Sequence, residues 1–218
     1  MRPKSSPHRG WHSRGYLPHC DFPGLIQSVS FHLFDSVPAG VIERWIRKLQ
    51  SAQEENIREK LCSQIEIYAD MGYGSCYLAA PTIARLVESA ILHFDNERYH
   101  TLAWCVMPNH AHTLFVQQAG YSMSAIVQSW KSYTSHQANQ LLGRQGDFWF
   151  PDYFDEFMKS TVQFESTIEY IELNPVTAKL VSDRERWEFS SAAIHHRERI
   201  QANRLKFPEV ALDQLPDF

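Results

Sequence analysis

The fold of this chain is decided by the stretch Met107-Pro108-Asn109-His110-Ala111-His112-Thr113-Leu114-Phe115-Val116. A strand-like segment, residues 99–107, precedes it, and Pro108 and Asn109 are turn formers. Side chains two apart on a strand point to the same face, so His110 and His112 are predicted to lie side by side on a sheet. Two neutral imidazoles placed in this way provide half of a divalent-metal site, although a His-x-His pair is also common as a simple polar pair at a sheet edge.

Composition limits the class of protein. The chain has 218 residues, 44% of them hydrophobic, which suits one globular domain with a sizeable core and some extra length. Its net charge of -4 and pI of about 6.2 argue against a protein that coats nucleic acid nonspecifically, because such binding neutralises many phosphates. The sequence has no apolar run approaching the ~18 residues of a membrane span, no signal-peptide pattern and no C-x-x-C pair. These features predict a cytoplasmic chain with reduced thiols and without a membrane partner.

Periodicity predicts a mixed α+β fold. The predicted order is strand, helix, short strand, helix, strand, strand, helix, strand, helix. Helices interspersed with a hairpin favour an antiparallel sheet with helices packed mainly on one face. We predict a flexible basic N-terminus over residues 1–14, a folded domain over 15–193 and a polar C-terminal tail over 194–218.

The last predicted helix, residues 161–173, offers a partner for the histidines. Tyr170 and Asn174 are four residues apart and therefore share one face of that helix. The side-chain oxygen of Asn174 is a possible ligand at the helix end. On residue type alone, Tyr170 is equally a core aromatic, and Asn174 equally a residue that ends the helix before Pro175.

Two motifs in this order resemble a known family. Pro108-Asn109-His110-Ala111-His112, followed by Tyr170-Ile171-Glu172-Leu173-Asn174-Pro175-Val176, is similar to the REP-associated tyrosine transposases, which are single-tyrosine HUH transposases. Four further stretches agree with the family, and together they extend the resemblance over roughly residues 14–193. They are residues 16–19, residues 30–38, residues 128–134, and the closing Trp187, Ser190 and Ser191.

The resemblance implies a ferredoxin-like α+β core for the HUH transposase-like domain at 15–193. It implies that His110, His112 and Asn174 bind Mg²⁺ or Mn²⁺ and that Tyr170 is the catalytic nucleophile. The implied reaction is DNA transposition-related: metal-dependent cleavage and rejoining of single-stranded or hairpin DNA of the REP type through a covalent 5′-phosphotyrosine. The implied protein is therefore a single-strand transposase or endonuclease acting as a monomer or a homodimer.

Single-stranded DNA is generally held by aromatic stacking and a basic track. Six residues are candidates for these contacts, and each is equally explained by packing or solvation. They are Arg14, Lys131, Arg144, Trp149, Tyr153 and Lys159.

Three other functions remain open from the sequence. The first is a non-catalytic hairpin-DNA-binding protein derived from a transposase. The second is an enzyme that nicks DNA for replication or transfer, although such enzymes often carry two tyrosines on the helix that holds Tyr170 here. The third is a metal-dependent phosphodiesterase that uses water as its nucleophile.

Overall fold

The computed structural model describes residues 8–13, 18–52 and 57–204. Within these ranges, no helix is both long enough and apolar enough to cross a membrane. The strands are β1 (Gly10–Ser13), β2 (Pro18–Asp21), β3 (Ile26–His32), β4 (Tyr99–Val106), β5 (His110–Gln117) and β6 (Phe154–Phe157). The helices are α1 (Ala39–Ser51), α2 (Ile57–Asp70), α3 (Pro81–His93), α4 (Met123–Leu141), α5 (Thr161–Thr177) and α6 (Arg197–Arg204), with short 3₁₀ turns at Tyr77–Ala79, Arg184–Arg186 and Ile194–His196.

The main sheet has four antiparallel strands in the order β4-β5-β3-β6. The strand β5, which carries both histidines, pairs with β4 on one side and β3 on the other, and every residue of β5 is buried. This arrangement confirms the predicted α+β fold with an antiparallel sheet. Because both faces of β5 are covered, its side chains alternate between two buried faces and not between the interior and solvent.

Helices cover both faces of the sheet, whereas the sequence predicted helices mainly on one face. On one face, Ala111 and Phe115 of β5 pack with side chains from α3 and α4. On the other face, Leu114 and Val116 pack against α5. The α1–α2 pair packs against Phe154 of β6 on the face that also carries the histidines. Both sides of β5 therefore need cover, and the histidines lie between α5 and the α1–α2 pair.

The C-terminal part of the described chain covers the edge of the sheet. The side chains of Asn203 and Arg204 on α6 donate hydrogen bonds to the carbonyl oxygens of Thr101 (3.0 Å) and Leu102 (2.8 Å) on edge strand β4. This differs from the predicted polar tail over 194–218, of which residues 205–218 lie outside the described part. The helix is very polar, so its sequence resembles a solvated tail, but it is held by hydrogen bonds to carbonyl groups of the edge strand.

Part of the segment predicted to be flexible over 1–14 forms a strand, while residues 1–7 and 14 lie outside the described part. The strand β1 pairs with β2 in a separate two-stranded sheet, with Trp11 opposite Cys20 and His12 opposite His19. Four residues of strand give too short a pattern to be recognised from alternation alone.

A buried ion cluster fixes β2 against β6. Both ring nitrogens of His19 are bonded to carboxylates: Nδ1 to Asp155 at 2.5 Å and Nε2 to Asp152 at 3.0 Å. Burial alone would lower the pKa of His19, but the hydrogen bonds to the two aspartates outweigh it and raise the pKa to about 9. The imidazole is therefore a cation in the folded state at neutral pH.

We expect this cluster to make the folded protein less stable at alkaline pH. The pKa of His19 is higher in the folded state than its ordinary value of 6.5, so the stabilisation is complete below pH ~6.5 and is lost as pH rises towards 9. The rise in the pKa of His19 from 6.5 to about 9 corresponds to at most roughly 3 to 4 kcal/mol of stability. Urea unfolding at pH 6 and pH 9.5 measures the loss. The difference should be smaller in His19→Gln, while the exposed control His136→Gln should behave as wild type. An equal pH dependence in wild type and His19→Gln would contradict this assignment.

Candidate active site

The histidine pair lies where β5 begins, in the middle of the sheet. The rings of His110 and His112 are in contact, with centroids 4.6 Å apart, and both side chains are buried. Strand register places His32 of β3 opposite His110 and Ser30 opposite His112. The four polar side chains therefore gather on one face of two neighbouring strands, as the alternation predicted for the two on β5.

Hydrogen bonds fix the orientation of both imidazoles. Nδ1 of His110 is 2.7 Å from Oδ1 of Asn109, whose amide nitrogen already donates to the carbonyls of Ala69 and Tyr73. The amide oxygen of Asn109 can only accept, so Nδ1 of His110 carries the proton. Nδ1 of His112 is bonded in the same way to Oγ of Ser30 at 2.7 Å. In both rings, Nε2 is then the nitrogen with a free electron pair.

Both imidazoles are neutral at physiological pH. Burial, followed by the nearby His112 and His32, holds the pKa of His110 well below its usual range. Burial lowers the pKa of His112 to about 4. Neutral imidazole is the form that binds metal ions, so no proton has to be displaced at pH 7.

A carboxylate from α2 completes a group of three ligand atoms. Asp70, His110 and His112 each contribute one atom, and these atoms lie within 4.8 Å of one another. Oδ1 of Asp70 is 3.4 Å from Nε2 of His110, and neither atom has a hydrogen-bond partner. Burial raises the pKa of Asp70 to about 6. Buried polar atoms are normally paired, so two unpaired atoms facing each other indicate a place for a cation.

Asn174 contributes a fourth side chain from α5. Its Nδ2 lies 3.2 Å from Nε2 of His112, and its Oδ1 is buried without a partner. Rotation of the amide by half a turn would place Oδ1 beside Nε2 at a similar separation, and neighbouring oxygen or nitrogen ligands of an octahedral ion are about 3 Å apart. Two imidazole nitrogens, a carboxylate and an amide oxygen fit a divalent cation. The helix runs past Pro175 to Thr177, so Asn174 lies inside it and not at its end as predicted.

Tyr170 lies one helical turn before Asn174 and faces the same site. Its ring centroid is 5.4 Å from that of His112, and 41% of the residue is exposed. Burial, followed by the charges of Glu66 and Asp70, raises the pKa of Tyr170 above its usual range. The phenol therefore remains protonated until a cation or a proton acceptor assists its ionisation.

Glu66, one turn before Asp70 on α2, is a second carboxylate at this site. Its Oε1 accepts a hydrogen bond from Oγ of Ser30 at 3.2 Å. Burial raises the pKa of Glu66 to about 7, and the charges of Asp70 and Glu156 contribute in the same direction. Sequence analysis found neither Glu66 nor Asp70, because both lie within an amphipathic helix with no motif around them.

A family comparison matches the part of the chain that carries these motifs. Residues 77–174 match the model of a family described as IS200-like transposases. The matched segment is similar to the IS200-like transposases and makes up a little less than half of the chain. It contains His110, His112, Tyr170 and Asn174, whereas Glu66 and Asp70 precede it. This similarity supports a function related to DNA transposition.

One solved structure has a similar fold. A REP-associated tyrosine transposase bound to a REP hairpin is 18% identical, with a TM-score of 0.50 over 94% of this chain and 92% of that chain. At this identity the similarity shows the fold alone. A transposase structure from Deinococcus radiodurans R1 is 12% identical, with a TM-score of 0.34 over 75% of this chain and 96% of that chain. No curated protein sequence matches the chain.

Three of the six predicted DNA contacts are buried. Lys131 donates hydrogen bonds from Nζ to the carbonyls of residues 150, 151 and 152 at 2.7 to 3.1 Å. The indole of Trp149 donates to Thr134 at 2.9 Å, and the ring of Tyr153 packs on His19 at 4.4 Å. This geometry supports the packing alternative for Lys131, Trp149 and Tyr153, because a base or phosphate needs an accessible side chain.

The other three candidates are placed differently. Arg144 is partly exposed, donates to Asn139 and lies over the Tyr77 ring. Lys159 is exposed, with Nζ 5.3 Å from the Phe157 ring centroid. Arg14 lies outside the described residues. Arg144 and Lys159 therefore stay predictions with accessible side chains.

Proposed function

We propose that this protein cleaves and rejoins single-stranded or hairpin DNA of the REP type through a covalent 5′-phosphotyrosine. Tyr170 is the nucleophile in this proposal, and Mg²⁺ or Mn²⁺ is the cofactor. The residues that would hold the ion are His110, His112, Asn174 and Asp70. The first three come from the sequence motifs, and Asp70 is added from the geometry of the site.

One observation carries the proposal. The ring of Tyr170 lies 5.4 Å from that of His112, beside a group of buried atoms that suits a divalent cation. A tyrosine that served only for packing would not need to lie beside possible metal ligands. Packing accounts for the ring of Tyr170, and nucleophilic attack accounts for a phenol beside possible metal ligands.

The proposed step is a transesterification. Oη of Tyr170 forms a bond to phosphorus as the bond from phosphorus to the 3′ oxygen breaks. The phenol proton leaves Oη, and the released 3′ oxygen is protonated to a hydroxyl. A divalent ion, when bound, offsets the negative charge on the phosphate oxygens and favours the ionised phenol. The phosphodiester energy is retained in the tyrosine ester, so a second 3′-hydroxyl can reverse the step and join strands.

The net charge of the chain limits how it would bind DNA. With a net charge of -4, broad electrostatic attraction to DNA is weak. Recognition therefore depends on a local basic and aromatic surface, for which Arg144 and Lys159 are the accessible candidates. The family resemblance and the structural neighbour bound to a REP hairpin support a hairpin with single-stranded flanks as the substrate.

A labelled hairpin with single-stranded flanks tests the proposal. With Mn²⁺, we expect a protein band that keeps the label of the 3′ fragment through a denaturing gel, together with a free 5′ fragment ending in a 3′-hydroxyl. Chelation with EDTA should remove both products. The label stays with the protein because the tyrosine ester is covalent and survives denaturation.

The same gel separates the remaining functions. Cleavage without an adduct would contradict the proposal and indicate water as the nucleophile. Binding without cleavage in Mg²⁺ or Mn²⁺ would indicate a non-catalytic hairpin-binding protein. The cytoplasmic location and the state of monomer or homodimer stay predictions from the sequence.

A further inference from the structure

A chain of hydrogen bonds connects α2 to the ligand side of His112. Oε1 of Glu66 accepts from Oγ of Ser30 at 3.2 Å, and the same Oγ accepts from Nδ1 of His112 at 2.7 Å. Ser30 has one proton to give and free electron pairs to receive another, so it passes the orientation of the carboxylate on to the ring. Because Nδ1 carries the proton, the free electron pair of His112 is on Nε2, which lies beside Asn174.

The same carboxyl group also faces the nucleophile. The charge of Glu66 acts on Tyr170 and contributes to the raised pKa of the phenol. Tyr170 in turn lies against the ring of His112. Glu66 thus contacts Ser30, which orients a proposed metal ligand, and its charge reaches Tyr170. No step proposed above uses it.

We propose that Glu66 is a positioning residue, which holds the His112 ring through Ser30. This inference rests on the proposed function and deepens it. The residue comes from α2, which precedes the segment matched by the family model, so the α1–α2 pair contributes to the site as well as to packing.

The physical reason is the freedom of an imidazole that has lost its partner. Without an acceptor at Nδ1, the ring of His112 can exchange tautomers and turn about its side-chain bonds. Partners of this kind change metal affinity or activity by about 10- to 100-fold when they are removed. Ser30→Ala breaks the chain at the hydroxyl, and Glu66→Ala breaks it one bond further away.

Mn²⁺ binding to the full chain, followed by electron paramagnetic resonance, tests the inference without DNA. Glu66→Ala should weaken Mn²⁺ binding about 10-fold or more. Glu66→Gln should stay within about threefold of wild type, because the amide oxygen of glutamine still accepts from Ser30. A loss in Glu66→Gln as large as in Glu66→Ala would overturn positioning by hydrogen bonding.

A double-mutant comparison shows whether Glu66 acts through Ser30. If it does, Ser30→Ala with Glu66→Ala should bind Mn²⁺ about as weakly as the weaker single variant, because both remove the same chain. Losses that multiply would mean independent effects and would contradict the inference. In the metal-free protein, nitrogen NMR should show His112 with the proton on Nδ1 in wild type and in Glu66→Gln, and a mixture of tautomers in Glu66→Ala.

The controls keep this inference separate from the proposed function. Glu43→Ala removes an exposed glutamate from α1 and should leave Mn²⁺ binding unchanged. If wild type binds no Mn²⁺, the proposed function itself fails. If wild type binds Mn²⁺ and forms the DNA adduct but Glu66→Ala equals it, only the role of Glu66 fails. Should Glu66→Ala not fold, Ser30→Ala and the NMR comparison of Glu66→Gln with wild type decide the question.

Discussion

Replacing Tyr170 with phenylalanine is expected to abolish the covalent protein–DNA adduct, with a loss of at least about 1000-fold. Phenylalanine keeps the ring that lies against His112 but removes the only atom that can bond to phosphorus. Hairpin binding and Mn²⁺ binding should remain close to wild type, because neither requires the phenol oxygen as a nucleophile. The adduct is measured by a denaturing gel, and hairpin binding by a native gel.

A second tyrosine provides the matched control for this variant. Tyr133 on α4 is also exposed, and Tyr133→Phe should form the adduct at the wild-type level. If Tyr170→Phe still formed the adduct at that level, another residue would be the nucleophile and the assignment would be wrong. If it lost hairpin binding as well, its effect on the adduct would have to be ascribed to binding.

Replacing both His110 and His112 with alanine is expected to remove Mn²⁺-dependent cleavage and to weaken Mn²⁺ binding more than about 100-fold. The two Nε2 atoms face the same space as Asp70, so their removal takes away half of the proposed ligands. Calorimetric titration with Mn²⁺ measures the affinity, and the denaturing gel measures cleavage. The variant also loses three buried hydrogen bonds, to Asn109, Ser30 and Asn174, each worth about 1 kcal/mol, so thermal unfolding must be recorded with it.

The controls for the double variant separate folding from metal binding. His136→Ala removes an exposed imidazole from α4 and should bind Mn²⁺ as wild type does. His112→Gln keeps most of the side-chain volume and should still weaken Mn²⁺ binding if the double variant is too unstable to study. Unchanged Mg²⁺-dependent or Mn²⁺-dependent cleavage in a folded double variant would rule out this metal site.

Much of the site was predictable because it lies on two regular elements. Alternation along β5 places His110 and His112 on one face, and a spacing of four places Tyr170 and Asn174 on one face of α5. Each of these placements depends only on the period of the element itself. The meeting of the two elements followed from the family resemblance, and the ring contact between His112 and Tyr170 agrees with it.

The carboxylates were not predictable in this way. Asp70 and Glu66 lie on α2, about 40 residues before the histidines, and on that helix they resemble any solvated acidic residue. Only the packing of the α1–α2 pair over β6 and β3 brings them to the metal-binding face. For Lys131 the sequence was misleading in the opposite sense. A lysine off the apolar stripe of a helix is expected to contact solvent or DNA, but the ammonium group of Lys131 is buried among three carbonyls.

The sequence by itself determined the strand with its two histidines, the helix with its tyrosine and asparagine, and the antiparallel α+β fold. These features follow from periods of two and 3.6 residues, which local chain geometry sets. The tertiary structure alone decided which carboxylates join the histidines, which basic side chains are buried, and that a polar helix near the C-terminus covers the sheet edge. Contacts of this kind depend on how separate elements pack against one another, and no fixed spacing in the sequence records that packing.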